Sequence, residues 1–430
     1  MTSLYTRLSS ANAFDNSVRN IAGRQSSLAN LQENLTSGKR VVRTSDDPTS
    51  AANAERALTR ISRIATDQRA LESQRNAIAM AETTLGEVTD ALQNFRELVV
   101  SAGNAGHSTA ERQAIAFQLS GLRDQIVAFS NLKDTNGLPL FSALGSSLTP
   151  FTGPQATSPD YTFEGLPGQS SGQSVSIPTT LDGDSAFMMH PTRDGAFNAR
   201  ITTALPAHAL STGSVSVANT TTVANTGAAA STATGKPNSY PAYTVAFTAV
   251  DSTTVPGTTT ATYSITENPA VSGAIAPVTV SYPTSQSLSV TAVPGLSFSI
   301  TGTPRAGDSV SISASASVFS VLDDAIRDIG GATSSNAVSQ AVAQALNNID
   351  IGMERVSGVR GQAGDLLTRA DRISTNQEKR STQLESDRSR AEDLDMIKGI
   401  SDFNNQQTGY QAALQTYAQI QKLSLFNFIG

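Results

Sequence analysis

The chain has 430 residues, a formal net charge of −6 and only 15% charged side chains, a length that leaves room for roughly two to four domains. An acidic balance without a basic footprint argues against nucleic acid as the main partner, because phosphate binding needs clustered lysine and arginine. With no cysteine there is neither a disulfide framework nor a thiolate metal site. The opening MTSLYTRLSSANAFDN lacks the continuous apolar stretch of a secretory signal or membrane span. No membrane partner is expected, and any export is expected to use a route that reads no cleaved signal.

The first predicted element is a long helix. Its apolar residues fall at Leu4, Leu8, Ala11, Phe14, Val18, Ile21, Leu28, Leu31 and Leu35, in the steps of three and four that mark a coiled-coil seam. Gly38 closes it, since glycine readily takes the left-handed conformation after a helix. A loop through Lys39, Arg40 and Asp46 leads to Asp47-Pro48. Asp47 fits an N-cap and Pro48 the first helical position, where its missing N–H costs nothing. The second helix carries Leu58, Ile61, Ala65, Leu71, Ile78, Leu85, Val88, Leu92, Phe95 and Val99, and stops at Gly103. At 1.5 Å per residue it is a rod of roughly 80 Å. Ser108 and Glu111 read as a capping box for a third helix, with Ile115, Leu119, Leu122, Ile126 and Phe129 as its apolar face. Asp134-Thr135-Asn136-Gly137 follows, and Asn-Gly is a strong turn signal.

From Phe151 to Val318 the pattern changes. Between Ile201 and Val318 the only charged residues are Lys236, Asp251, Glu267, Arg305 and Asp308. Alternating runs begin at Tyr243, Thr260, Pro277, Ser287 and Leu296, punctuated by Pro and Gly, and predict a small antiparallel β domain. The simpler stretch from Ser211 to Gly235 reads as loop.

Helical pattern returns at Val318, with Leu322, Ala325, Ile326 and Ile329 up to Gly330. A long helix is predicted from near Asn336 through Leu346, Ile349, Met353, Val356, Ala363, Leu367, Ile373 and Leu384. Glu392-Asp393-Leu394-Asp395 interrupts it, and those carboxylates suit the N-terminus of a last helix ending near Phe426. The closing seam is Leu394, Ile397, Ile400, Phe403, Tyr410, Leu414, Tyr417, Ile420 and Leu423, with Leu425 and Phe426 beyond it. The predicted fold is mainly α with an inserted β domain. A chain that leaves along helices and returns along helices can pair its own ends as an antiparallel coiled coil.

Motifs for chemistry are weak. Gly168-Gln169-Ser170-Ser171-Gly172 matches the nucleophile elbow, but Pro- and Ser-rich flanks replace the strand and helix that the elbow requires. Asp46 and Asp47 are adjacent carboxylates, and Asp47 already has a capping role. Asp134-x-Asn136 begins like a calcium loop, yet Leu138 stands where another oxygen ligand is needed, so a turn is the better reading. His107, His190 and His208 have no metal-ligand spacing. No catalytic, metal or cofactor site is expected.

The terminal stripes could be the core of a monomeric bundle. Polar Gln25 and Gln407 interrupt them, however, and alanines thin the contact. Ordering each end costs about 1–2 kcal/mol per residue in backbone entropy. Burial offsets this at about 25 cal/mol per Å², so packing against neighbouring subunits is the reading that closes the deficit. The ends are expected to order on assembly.

Asn30 to Ala54 (NLQENLTSGKRVVRTSDDPTSAANA), ELVVSAGN from Glu97, LRDQI from Leu122, DTNG from Asp134 and the ending YQAALQTYAQIQKLSLFNFIG resemble the bacterial flagellar hook–filament junction proteins, the hook-associated protein 3 family of the flagellin-like superfamily. SGKR followed by SDDP, with a QKLSLF-type ending, looks more like that family than like flagellin. The likeness covers about Ser9–Phe141 and Val318–Gly430. It departs at the opening MTSLYTRLSS and over Phe151 to Ser317, which matches no motif.

The resemblance implies an enzymatically inert subunit of a ring between the other junction protein and the flagellin filament. It implies extracellular location in the flagellum after type III export, with a chaperone binding near the C-terminus. It also implies three parts: an inner coiled-coil tube of residues 1–40 and 394–430, a helical rod of 41–150 and 318–393, and an outer β domain of 151–317. Gly38, Lys39, Arg40, Asp46, Asp47 and Pro48 then link tube to rod. Flagellin is the nearest alternative, and a secreted protein whose β domain binds or hydrolyses something is a further one.

Overall fold

A computed structural model describes residues 3–104, 106–155, 160–170, 174–204 and 209–429, with the side chains of 3–11, 13, 420 and 422–429 outside that description. Helix α1 (Ser3–Ser37) ends at Gly38, whose φ of 70° is left-handed as expected. Helix α2 (Pro48–Ala102) starts on Asp47, whose Oδ1 accepts from the Ser50 N–H at 3.1 Å and the Thr49 hydroxyl at 2.7 Å. Helix α3 (Thr109–Ser130) opens on the complete capping box: the Glu111 N–H donates to Ser108 Oγ at 3.3 Å and the Ser108 N–H to Glu111 Oε2 at 2.6 Å. The Asp134 carboxylate is occupied by its own turn, accepting from the Asn136 and Leu138 N–H groups at 2.8 Å.

The middle holds β1 (Phe151–Thr152), β2 (Thr162–Phe163), the short helices α4 (Gly183–Phe187) and α5 (Pro191–Asp194), β3 (Phe197–Thr202), β4 (Ser211–Thr212), β5 (Ser216–Val217), α6 (Thr220–Thr234), β6 (Ala242–Asp251), β7 (Thr258–Asn268), β8 (Val278–Pro283), β9 (Leu288–Val290), β10 (Leu296–Thr301) and β11 (Ser309–Ala314). Among the described residues β3-β11-β6-β7-β8 form one antiparallel sheet, and β10 pairs with β4, β5 and β9 in a second. Register fixes the faces. Val310 lies opposite Val245 and Val245 opposite Ile265, all buried, while the alternate Ser311, Thr244 and Thr266 are exposed. Phe247, Tyr263, Val290, Phe298 and Ile300 join the two sheets in one core. The expected strands at Tyr243, Thr260, Pro277, Ser287 and Leu296 are all present.

The loop expected over Ser211 to Gly235 is corrected, since β4, β5 and α6 lie within it. Asn219 caps α6 by accepting from the Thr222 N–H at 3.0 Å, and Gly235 ends it at φ 68°. Its buried side is small: Val223, Thr226, Gly227 and Ala230. A Cβ on Gly227 would fall on the Tyr240 ring. Small, uncharged residues on both faces hide a helical period, which is why the stretch looked like loop.

Helices α7 (Val318–Gly330), α8 (Ser335–Glu392) and α9 (Met396–Ile429) complete the chain. Ser317 caps α7 through the Ser320 N–H at 3.0 Å. Phe319 enters an aromatic cluster with Phe151, Tyr161 and Phe187, ring centroids 5.1–5.6 Å apart.

Two units emerge, residues 1–70 with 372–430 and residues 71–371; α2 and α8 contribute to both. Within the second, Ile78, Leu85, Leu92 and Val99 repeat every seven residues and are fully buried, a heptad core. Arg96 pairs with Asp350 at 2.8 Å, Arg360 with Glu82 at 2.7 Å and Arg75 with Asp371 at 3.2 Å, so α2 and α8 run antiparallel there.

Candidate functional site

In the first unit α1 and α9 pair antiparallel. The Phe14 ring lies 5.3 Å from that of Tyr417, Arg24 packs against Gly409, and Leu35 against Gly399. The structure thus brings together the described middle portions of the two predicted seams. Ile21, Leu28, Leu31 and Leu35 on α1 and Phe403, Tyr410 and Tyr417 on α9 are half-buried. Phe14 keeps 39% of its surface, Val18 43%, Leu414 41% and Ile397 84%. Among the described side chains of α1 none is buried, and in α9 only Gly399 is. Leu394 precedes α9 rather than lying in it, and its backbone N–H donates to the Gly38 carbonyl at 2.9 Å. The side chains of Leu4, Leu8, Ile420, Leu423, Leu425 and Phe426 lie outside those described.

Where α1 gives way to α2 and α8 to α9, the two linkers clasp each other. The Arg40 N–H donates to the Glu392 carbonyl at 2.7 Å, and Arg40 Nη2 to the Ala391 carbonyl at 2.8 Å. Lys39 pairs with the Glu392 carboxylate, which also takes Arg388 at 3.2 Å. Asp46 receives the Arg43 N–H at 2.8 Å. Hydrogen bonds from Ser50 and Thr49 hold the Asp47 carboxyl well below the usual carboxylate range, with Arg40 adding a smaller pull. All six predicted linker residues, Gly38 to Arg40 and Asp46 to Pro48, therefore flank or form this clasp. The sequence offered no sign that its partner strand would be residues 391–394.

Two polar clusters were not anticipated. Tyr161 donates to Asp323 at 2.8 Å beside Arg123, which also pairs with Asp323; burial raises the Asp323 carboxyl against those favourable partners. His190 meets Asp184 at 3.1 Å, near Arg193, and burial opposes but does not outweigh the pull of His190 and Arg193, so the Asp184 carboxyl lies low. Each charge is engaged by a neighbour, which suits fastening α3, α4, α5 and α7 together better than chemistry. Among the described residues no His, Cys, Asp and Glu grouping could hold a metal, and no helix is long and apolar enough to cross a membrane. Ser171 and Gly172 of the elbow-like motif and His208 lie outside the described residues.

Mirrored helices around a β insertion, with a paired but largely uncovered terminal seam, define a mainly helical chain whose two ends fold against each other. Residues 8–145 match the bacterial flagellin N-terminal helical region and residues 346–429 the C-terminal helical region, between them more than half of the chain. The chain belongs to the bacterial flagellin family. Flagellar hook-associated protein 3 of Escherichia coli is 32% identical over 149 residues, 34% of this chain and 46% of that relative. Flagellin of Serratia marcescens is 32% identical over 127 residues, 29% of this chain and 35% of its own length. The chain thus spans between about a third and a half of the length of these curated relatives. The crystal structure of the flagellar junction protein FlgL from Legionella pneumophila, 24% identical, superposes with a TM-score of 0.55 over 74% of this chain and 98% of that one, and shares its fold.

Proposed function

We propose that the chain is a structural adaptor subunit of the bacterial flagellum, forming the ring that joins the hook, through the other junction protein, to the flagellin filament. The observation that carries this reading is the α1–α9 pair. Its apolar residues face one another yet keep large exposed fractions, so neighbouring copies supply the missing cover. The likeness to hook-associated protein 3 supports the junction over the filament. Tube, rod and outer β parts follow residues 1–40 with 394–430, 41–150 with 318–393, and 151–317, and Gly38 to Pro48 link tube to rod. Export without a cleaved signal and a chaperone engaging the C-terminal region complete the proposal. An adaptor of this kind needs no cofactor or catalytic group.

Electron microscopy of purified protein added to isolated hooks that end in the other junction protein, then challenged with flagellin, tests it. A short cap that stops growing, and without which no filament follows, is the expected result. Long filaments from this protein alone would make it a filament subunit.

A further inference from the structure

On the first-unit part of α2 one face is buried through Ala54, Ala57 and Ile64. The other carries Arg56, Arg60 and Arg63, at i, i+4 and i+7, all exposed along a groove of about 350 Å³ whose only carboxylate is Glu55. None of the three has an ion-pair partner among the described residues; Arg56 reaches only Asn53 Oδ1, at 3.4 Å. Like charges at these spacings destabilise a helix, so the isolated chain gains nothing from the arrangement.

The opposite pattern occurs on the same helix. Glu87, Asp90 and Glu97 are exposed and have no basic partner among the described residues, whereas Glu82 and Asp350 nearby are both paired to arginine across the α2–α8 contact. Three unmatched bases and three unmatched acids on one chain complement each other only between copies. Building on the assembly reading above, we propose that in the assembled state the Arg56–Arg60–Arg63 face of one copy docks on the Glu87–Asp90–Glu97 face of a neighbouring copy. Charge pairing of this kind fixes register and excludes wrong neighbours more than it adds affinity. It adds a charge-specific contact to the apolar α1–α9 seam.

The test is charge reversal and rescue in a strain lacking the chain, complemented with full-length variants. Arg56→Glu, Arg60→Glu, Arg63→Glu in one variant, and Glu87→Arg, Asp90→Arg, Glu97→Arg in another, each lose swimming; all six together regain it. Circular dichroism of each purified variant establishes that it folds. A triple variant that swims like the unsubstituted chain, or a folded six-fold variant that stays immotile, overturns the proposal; the latter assigns the arginines to a different flagellar subunit. Because the chain lacks cysteine, cells co-expressing Arg60→Cys and Asp90→Cys chains give a second readout. Oxidised flagella are expected to yield a disulfide between positions 60 and 90, and its absence counts equally against the contact. If the strain lacking the chain itself swims, the junction reading fails, and the disulfide alone decides whether copies meet this way.

Discussion

The Phe14 and Tyr417 rings, from opposite ends of the sequence, meet at 5.3 Å with their planes tilted by 41°, and Phe14 nonetheless leaves 39% of its surface to solvent. The pair fixes which faces of α1 and α9 meet without closing a core. Burial deep enough to stabilise the monomer lies instead in the heptad of Ile78, Leu85, Leu92 and Val99. On the assembly reading proposed above, stability and assembly draw on different residues.

That separation gives the first prediction. An exposed aromatic pair contributes about 0.5–1.5 kcal/mol, so Phe14→Ala with Tyr417→Ala barely moves the thermal transition of the free chain, while capping of hooks fails. Leu85→Ala has the opposite profile, losing about 2–5 kcal/mol of stability. Thermal melts by circular dichroism beside the hook-capping assay check both. A large drop in the melt of the double variant would mean that the seam is already a core in the monomer.

Gly38 supplies the second. Its φ is 70° and nothing lies within 4 Å of where a Cβ would sit, so Gly38→Ala meets no clash and adds only left-handed backbone strain of about 1–2 kcal/mol. The strain falls on the residue whose carbonyl holds the Leu394 N–H. Hydrogen exchange at Leu394 is expected to rise in this variant, while Leu85 and Leu92 keep their protection. Unchanged exchange at Leu394 would show that the clasp does not depend on the turn at Gly38.

Asp47 sets an acid limb. Its carboxyl is held below the unfolded value by Ser50 and Thr49, so the folded state binds its proton less readily than the unfolded one. The stabilisation is present above the unfolded pKa of about 3.9 and is lost as pH falls below it toward the folded value. Asp47→Asn keeps an effective cap and removes this part of the pH dependence. Melts taken from neutral pH down to acid are expected to keep a constant separation between the two proteins above about pH 4 and to converge as pH falls below it; a separation that stays the same through the acid range would rule out a titrating cap.

Much of this architecture was legible because periodicity and punctuation agree. Gly38, Asp47-Pro48 and Ser108 with Glu111 each carry a local backbone rule, and each occurs where that rule places it. Helix α6 was not legible, since Ala228, Ala229 and Ala230 present neither face to a hydropathy reading. The clasp was invisible for another reason: Arg40 meets Glu392 through main-chain groups, which any residue offers. The side-chain contacts that join the two linkers, Lys39 with the Glu392 carboxylate and the Arg40 guanidinium with the Ala391 carbonyl, link residues far apart in sequence, which no local motif spans. Polar clusters such as Tyr161–Asp323–Arg123 depend on contacts far apart in sequence, and their spacing carries no motif.

The last prediction concerns order in the termini. Among the described residues of α1 and α9 no side chain is buried, Gly399 alone being buried as backbone, and backbone ordering costs about 1–2 kcal/mol per residue. Opening of this pair in the free chain is therefore expected at far lower free energy than opening of the Leu85–Leu92 heptad. Limited proteolysis should cut within 1–37 and 396–430 first, leaving a fragment that retains the heptad. In assembled flagella, where neighbouring copies cover the seam, the same bonds should resist. Equal protection of α1 in free and assembled protein would refute folding on assembly, and with it the reason for assigning the half-exposed seam to contacts between copies.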